Sequence, residues 1–391
     1  MKYHNPIITG FHPDPSVCRV GNDFYLVNSS FEYFPGIPVY HSTDLTHWEQ
    51  IGHVLDRKNQ LKLVSGAPNC LGIYAPTIRY HEGIFYCIVT NVGGRSGGNF
   101  FVYTTDPYGR WSNPVKLPFA GIDPSLFFDE DGRIYYTGTD TGIYIAEITF
   151  DVVRNDTPKR NELPVSIQNV KCGEKHYIWN GSGGNNPEGP HLYRIHDMYY
   201  LMIAEGGTEY CHMVTIARSK NVYGPYEACP HNPVLSNRST CLNIKAIGHA
   251  DLVEDSQGSW WAVCLGIRPL GYPFRHNLGR ETMLAPVKWE NGWPVMGDNG
   301  TVTETFEVET APGKKTRKSD FYIPGSNMTD TFCSNKLHPS WNTIYTPVSK
   351  FVKPTKQGLS LCAYDTTLSD DKPKAILVRR QEHFHFTATT T

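Results

Sequence analysis

Three acidic residues recur in this chain at places that suit acid–base chemistry. Asp14 opens "DPSVCRVGNDFYLV", and Asp123, 109 residues later, opens the near-copy "DPSLFFDEDGRIYYTG". Glu188 stands in "PEGPHLYRIHDMYYLMIAEGG", where a proline again follows the acid after one glycine. Singly, Asp-Pro-Ser is a turn starter, because Asp bonds its own backbone and Pro presets φ. Three acids at equivalent places of a repeat are harder to explain that way. Gathered in one partly desolvated pocket they repel one another, and folding alone supplies no reason to keep them. Carboxyl groups whose pKa values are pushed apart serve as acid and base. The residues by themselves do not say which acid takes which role.

The elements that must position these acids form an internal repeat. A polar or acidic motif, a short apolar run, a turn and an aromatic or β-branched run follow one another from His12, Tyr74, Ile122, Pro187 and Gly248. With Asp14, Ala75, Asp123, Glu188 and Ala250 as marks, the steps are 61, 48, 65 and 62 residues. Each copy reads as strand, turn (GND, HEG, EDG, IHD, SQG), strand, with room for two further strands. Five units of four strands predict an all-β chain built as a five-bladed β-propeller. Helical periodicity is nearly absent, which argues against an α/β barrel. The unequal units leave a double sandwich as the alternative. In a propeller the first strand of each blade lines the axis, so motifs far apart in sequence converge in one funnel.

Composition narrows the function classes. The 391 residues carry a formal net charge of −2, so no overall positive field favours nucleic acid or an anionic membrane. No apolar run approaches the roughly 20 residues of a membrane span. Aromatics make up 13%, and 35 glycines with 28 prolines suit many short strands joined by turns. The ten cysteines show no CxxC pair, which predicts mostly buried thiols in a reducing compartment. The start "MKYHNPIITGFHPDPS" has no signal-peptide apolar region, giving an expectation of cytoplasmic location. A secreted mature form is the other reading.

Taken together, "NPIITGFHPDPS", "NSSFEYFPGIPVYHSTDLTHW", "GIYAPTIRY", "GIDPSLFFD", "PEGPHLY", "AEGGTEYCHMVTIARS", "GHADLV" and "LGRETMLAPV" carry a resemblance. Over about residues 4–300 the chain resembles glycoside hydrolase family 43, in its β-xylosidase and α-L-arabinofuranosidase branch. The resemblance implies a five-bladed propeller and an inverting mechanism, in which water attacks the anomeric carbon directly. It makes Asp14 the general base, Glu188 the general acid, and Asp123 the carboxylate that orients Glu188 and raises its pKa. Arg280 in "LGRET" matches the arginine that binds sugar hydroxyls and would hold Asp14 ionised. His249 in "GHAD" matches an axial histidine that in some members approaches a calcium ion through water. A hydrogen-bonded core histidine is the alternative, and no dense oxygen-ligand loop is present. By the same resemblance Phe31 and Tyr74 would wall a sugar ring, with Tyr33 and Phe34 nearby in "SSFEYFPG". Thr208 would reach the pocket, and Glu205 would either do so or pair with a core polar group. "GGRSGG" at 93–98 lacks the Lys-Ser/Thr ending of a phosphate loop and reads as a flexible loop beside the pocket.

These readings divide the chain into a catalytic propeller (1–311), a basic linker (312–325) and a partial β-sandwich region (326–391). Half a sandwich exposes apolar faces and strand edges, so a homodimer through 326–391 is expected, or else packing of the tail along the propeller. The sandwich aromatic that closes the family's pocket is not carried over. A side chain of the tail or of a partner would stand there instead. The functional expectation is an exo-acting, inverting glycosidase. It would release terminal α-L-arabinofuranosyl or β-D-xylosyl units from hemicellulose oligosaccharides, with no cofactor required. The reading from another class is a non-catalytic carbohydrate-binding propeller.

Overall fold

The structure, a computed structural model, describes residues 2–63, 70–93, 97–307, 321–334, 336–345, 347, 350–370, 372 and 374–390. Among them there is no α-helix. Among the described residues five antiparallel sheets follow one another along the chain as blades, three of four strands and two of five, each built on a meander. Blade 1 is Ser16–Val20, Asp23–Val27, Gly36–Ser42 and Glu49–Leu55. Blade 2 starts with Thr77–His81, which pairs with Ile84–Val92, and continues outward to Gly98–Thr104 and Val115–Lys116. Blade 3 starts with Ile122–Phe128, blade 4 with Glu188–Ile195 and blade 5 with Lys245–Glu254. The five-bladed propeller is thus present, and the double sandwich is excluded by five separate sheets.

The alternating apolar residues of each strand explain this packing. Buried side chains from adjacent sheets form shared clusters, such as Val27, Val39, Ile78, Cys87 and Val102 between blades 1 and 2. Ring closure needs a separate device, because among the described residues no strand is exchanged between the first and last blades. The N-terminal segment lies along blade 5, with Ile8 bridging Thr282 and the Asn5 side chain bonding Leu284 and Thr303 carbonyls. A cluster containing Tyr3, Ile8, Val17, Trp261, Val263 and Leu284 fills the seam.

The C-terminal region docks on blade 1. Thr343–Ile344 pairs with Tyr33–Phe34, and the Arg380 guanidinium donates to the Phe11 carbonyl at 2.7 Å. Of the expected linker, 312–320 lies outside the described residues. Its end is packed: Tyr322 is buried, and its carbonyl accepts from the Gln50 amide. The central residues of "GGRSGG", 94–96, also lie outside the described residues. The expectation of mostly buried thiols needs correction. Cys18, Cys87, Cys229 and Cys264 are buried, but Cys70, Cys211, Cys241, Cys333 and Cys362 are exposed, because these five lie outside the propeller's packed inner strands. None of the ten is in a disulfide.

Candidate active site

The inner strands do not start as plain ladders. In blade 3 the pairing passes from Ile122–Thr139 to Ser125–Thr137, so Asp123 and Pro124 bulge against one partner residue. In blade 4 it passes from Glu188–Ala204 to His191–Met202, leaving Gly189 and Pro190 in the bulge. Blade 5 shifts twice, on either side of Gly248, with His249 in the second bulge. Proline, which lacks an N–H for the ladder, fits such places. Asp14, Asp123 and His249 all have left-handed backbones, with φ of 52°, 51° and 48°. Such conformations in non-glycine residues cost about 1–3 kcal/mol each and mark places where a side chain is re-aimed. In blade 4 the left-handed residue is Gly189 instead (φ 61°), and a Cβ there would come within 3.1 Å of the His249 ring. In blades 3 and 4 the motifs first readable as turn starters are therefore bulge formers, whereas Asp14 stands just before the regular first strand of blade 1.

The starts of the inner strands bring the three acids together. Asp14 is buried, its Oδ1 2.7 Å from Arg280 Nη1 and its Oδ2 2.5 Å from Ser29 Oγ. Burial would raise its pKa, but the Arg280 charge, with His249 and the Ser29 hydroxyl, holds it below the usual aspartate value. Glu188 is pushed the other way, up to about 7, by burial and then by the charge of Asp14. Asp123 is buried and raised by desolvation, by Glu188 and by Asp14, while the Gly189 amide donates to its Oδ2 at 3.2 Å. One carboxyl group is thus kept ionised and its neighbour kept protonated near neutrality, which is the electrostatic requirement for a base and an acid in one pocket.

Around the acids the wall is aromatic and cationic. Phe31 and Tyr74 have ring centroids 5.4 Å apart, Phe11 lies 5.7 Å from Phe31, and the Arg280 guanidinium lies 5.3 Å from the Phe31 ring. Beside Arg280, the Arg268 fork holds buried Glu281 at 2.7 and 2.9 Å, and Phe384 of the tail lies over that guanidinium. Thr208 is exposed on the loop after Met198–Glu205. Glu205 takes the core alternative: it is fully buried and accepts from the Ser182 and Gly184 amides and from Thr215 Oγ1 at 2.5 Å. It thereby fastens the loop that leads into Glu188.

Several residues of the site were not singled out from sequence. Ser29 is one, in "NSSFEYF". His212 is another: fully buried, its Nε2 lies 3.7 Å from Glu188 Oε1. A third group lies two or three residues further along the inner strands. Asp251 of blade 5 accepts from Ser16 of blade 1 (2.6 Å), from Arg79 of blade 2 (2.7 and 3.1 Å) and from Tyr193 of blade 4 (2.6 Å). His191 of blade 4 contacts Arg79 at 2.9 Å and Ser125 of blade 3 at 3.3 Å. One buried polar network thus joins all five inner strands. Spacing could have suggested part of it, since Ser16, Ser125, His191, Tyr193 and Asp251 follow an acid or His249 by two to five positions, whereas Arg79 of blade 2 follows no such mark.

The surroundings of His249 bear on the calcium expectation. The carboxylates facing it are Asp14, engaged by Arg280 and Ser29, and Asp251, engaged by Arg79, Ser16 and Tyr193. Among the described residues no cluster of three or more His, Cys, Asp or Glu could ligate a metal directly. This donor set does not fit a directly liganded calcium ion.

The comparisons with known proteins agree with this geometry. The profile of glycosyl hydrolases family 43 matches residues 3–294, and that of the β-xylosidase C-terminal concanavalin A-like domain matches 329–391. A non-reducing end α-L-arabinofuranosidase of Bacteroides ovatus is 44% identical over 99% of this chain and 70% of its own length. A xylosidase/arabinosidase of Butyrivibrio fibrisolvens is 46% identical over 78% of this chain, which spans 59% of that relative. Among solved structures, a Bacteroides ovatus xyloglucan GH43B superposes with a TM-score of 0.85 at 42% identity, covering 98% of this chain and 73% of that one. A xylan β-1,4-xylosidase of Bacillus halodurans gives 0.82 at 34%, covering 98% and 72%. A non-catalytic sugar-binding propeller is therefore set aside: the chain belongs to glycosyl hydrolases family 43.

Proposed function

We propose that this glycoside hydrolase removes terminal α-L-arabinofuranosyl and β-D-xylosyl units from hemicellulose oligosaccharides, with inversion at the anomeric carbon. Asp14 takes a proton from water as the water oxygen bonds the anomeric carbon. The glycosidic C–O bond breaks on the opposite face, and the leaving oxygen receives the proton of Glu188. Asp123 orients Glu188 and adds the like charge that keeps it protonated. Arg280 holds Asp14 ionised and binds sugar hydroxyls, and Phe31 and Tyr74 face the ring. The observation that carries this reading is the opposite displacement of two neighbouring carboxyl groups, Asp14 downward and Glu188 to about 7. Names of relatives support both sugars.

The experiment compares Glu188→Gln with the parent on p-nitrophenyl α-L-arabinofuranoside, p-nitrophenyl β-D-xyloside and a natural disaccharide. Activated aryl leaving groups need little protonation, so the disaccharide should lose far more rate. Equal losses would remove the general-acid assignment. Proton NMR of the first-formed sugar should show inverted configuration; retention would make one carboxylate a nucleophile. No cofactor is needed for these steps. A calcium ion reached through water at His249 would face the cation of Arg280, so the reading is that chelation leaves turnover unchanged. Dimerisation through 326–391 belongs to the same proposal, supported by exposed Leu361, Leu368 and Phe386. Light scattering that finds only the 44.1 kDa chain counts against it.

A further inference from the structure

His212 precedes the third strand of blade 4, Met213–Ser219, and its backbone is fixed at both ends. Its amide donates to the Glu209 carbonyl at 3.0 Å, and its carbonyl accepts from Ser236 Oγ at 3.0 Å. The ring has a fixed seat as well. A Cβ on Gly248 would stand 2.3 Å from His212 Nδ1, so the imidazole lies directly against the bare backbone of blade 5. Nδ1 is 3.4 Å from the Ala246 carbonyl oxygen. That oxygen can only accept, so Nδ1 carries the ring proton and Nε2 presents a lone pair. Nε2 is buried, has no hydrogen-bond partner, and lies 3.7 Å from Glu188 Oε1. A small rotation of the carboxyl group closes that gap. Only a protonated Glu188 has something to donate across it.

We propose that His212 is a positioning residue for the acid, its neutral Nε2 accepting the proton of the Glu188 carboxyl group in the unoccupied enzyme. The proton stays on the carboxyl group, and the group turns from Nε2 to the glycosidic oxygen when substrate arrives. This rests on Glu188 being the general acid. A hydrogen bond that exists only in the neutral form of a carboxyl group holds that form in place. The device needs a histidine that does not itself ionise. Burial, then the charge of His249, holds His212 down to about 3, against the opposing effects of the Ala246 hydrogen bond and of Asp14. The groups facing Glu188 are Asp14, Asp123, Arg280 and His212.

The test is the pH profile of His212→Phe, which keeps a ring and removes the acceptor, beside His212→Gln, whose side-chain carbonyl can accept. The basic limb of kcat/KM, which reports the free enzyme, should move down by about 0.5–1 pH unit in the Phe variant, the size of one hydrogen bond. The limb of kcat should move less, and Gln should restore most of the shift. A uniform fall across pH with the limb unmoved would make His212 structural and overturn the proposal. Should the Phe variant fail to fold, 15N-histidine NMR of the wild-type protein decides. An unprotonated Nε2 resonance that titrates with Glu188, and not in Glu188→Gln, is expected; a protonated Nε2 reverses the hydrogen bond and overturns it. If the basic limb survives in Glu188→Gln itself, the acid assignment fails, which is a separate outcome.

Discussion

Replacing Glu188 by Gln should make the protein more stable at pH 8 while removing most of its activity on natural substrates. The folded protein holds the Glu188 carboxyl up to about 7, against an ordinary 4.5, by burial and the charge of Asp14. Below the unfolded value both states are protonated and the site costs nothing. As pH rises from 4.5 through 7 the unfolded chain ionises first, and stability falls; above 7 the whole penalty is present. At 1.36 kcal/mol per pKa unit it comes to about 3 kcal/mol. Gln is neutral at every pH and escapes it. Denaturant unfolding of both proteins at pH 4.5 and pH 8 measures the difference of differences, in which unrelated effects of the substitution cancel. The advantage of Gln should grow by about 3 kcal/mol between the two pH values, while the disaccharide rate falls by about 10²–10⁴-fold. A stability difference independent of pH would refute the electrostatic account of the acid, whatever the activity did.

Asp14→Asn removes the base and should lower kcat by about 10²-fold or more on aryl glycosides and disaccharides alike, unlike the split expected at Glu188. The kcat/KM profile of the parent should be bell-shaped, with its basic limb near the Glu188 value of about 7 and its acidic limb below the usual aspartate range, because Arg280 holds Asp14 ionised. Asp251→Ala leaves the Arg79 guanidinium buried and unpaired. It should cost about 3–5 kcal/mol in unfolding free energy, read by denaturant titration.

How much of this was legible in the sequence depends on which forces wrote each feature. The blades were legible because strand, turn and strand recur with period-2 apolar alternation, and that pattern is local. Asp14, Asp123 and Glu188 were legible as a set because they hold one place in the repeat. Their aim was not. The bulge comes from the way Asp-Pro and Gly-Pro interrupt a ladder with a neighbouring strand, so Asp-Pro-Ser read alone looks like a turn. Glu205 could be narrowed to two roles, and pairing decided between them only once the 181–184 loop was seen wrapped around its carboxylate.

The residues that sequence reading missed share a physical cause. Ser29 and His212 act on partners 15 and 24 positions away within their own blades, and Asp251 on one 235 positions away across the seam between blades 5 and 1, so each pairing depends on how the strands are laid side by side. Closing the ring also explains why one network touches all five inner strands. With no strand exchanged between blades 1 and 5 among the described residues, something else must fix their mutual position. Asp251, bonded to Ser16 Oγ and to the Val17 amide, does so from the first residues of the first blade. The same strand of blade 5 carries His249, whose ring rests on the backbone beside Glu188, and Gly248, on which His212 rests. A single strand thus sets both the closure of the propeller and the seating of the groups around the acid. A change that loosens the seam between blades 1 and 5 should therefore disturb the acid's pH dependence before it unfolds the outer strands.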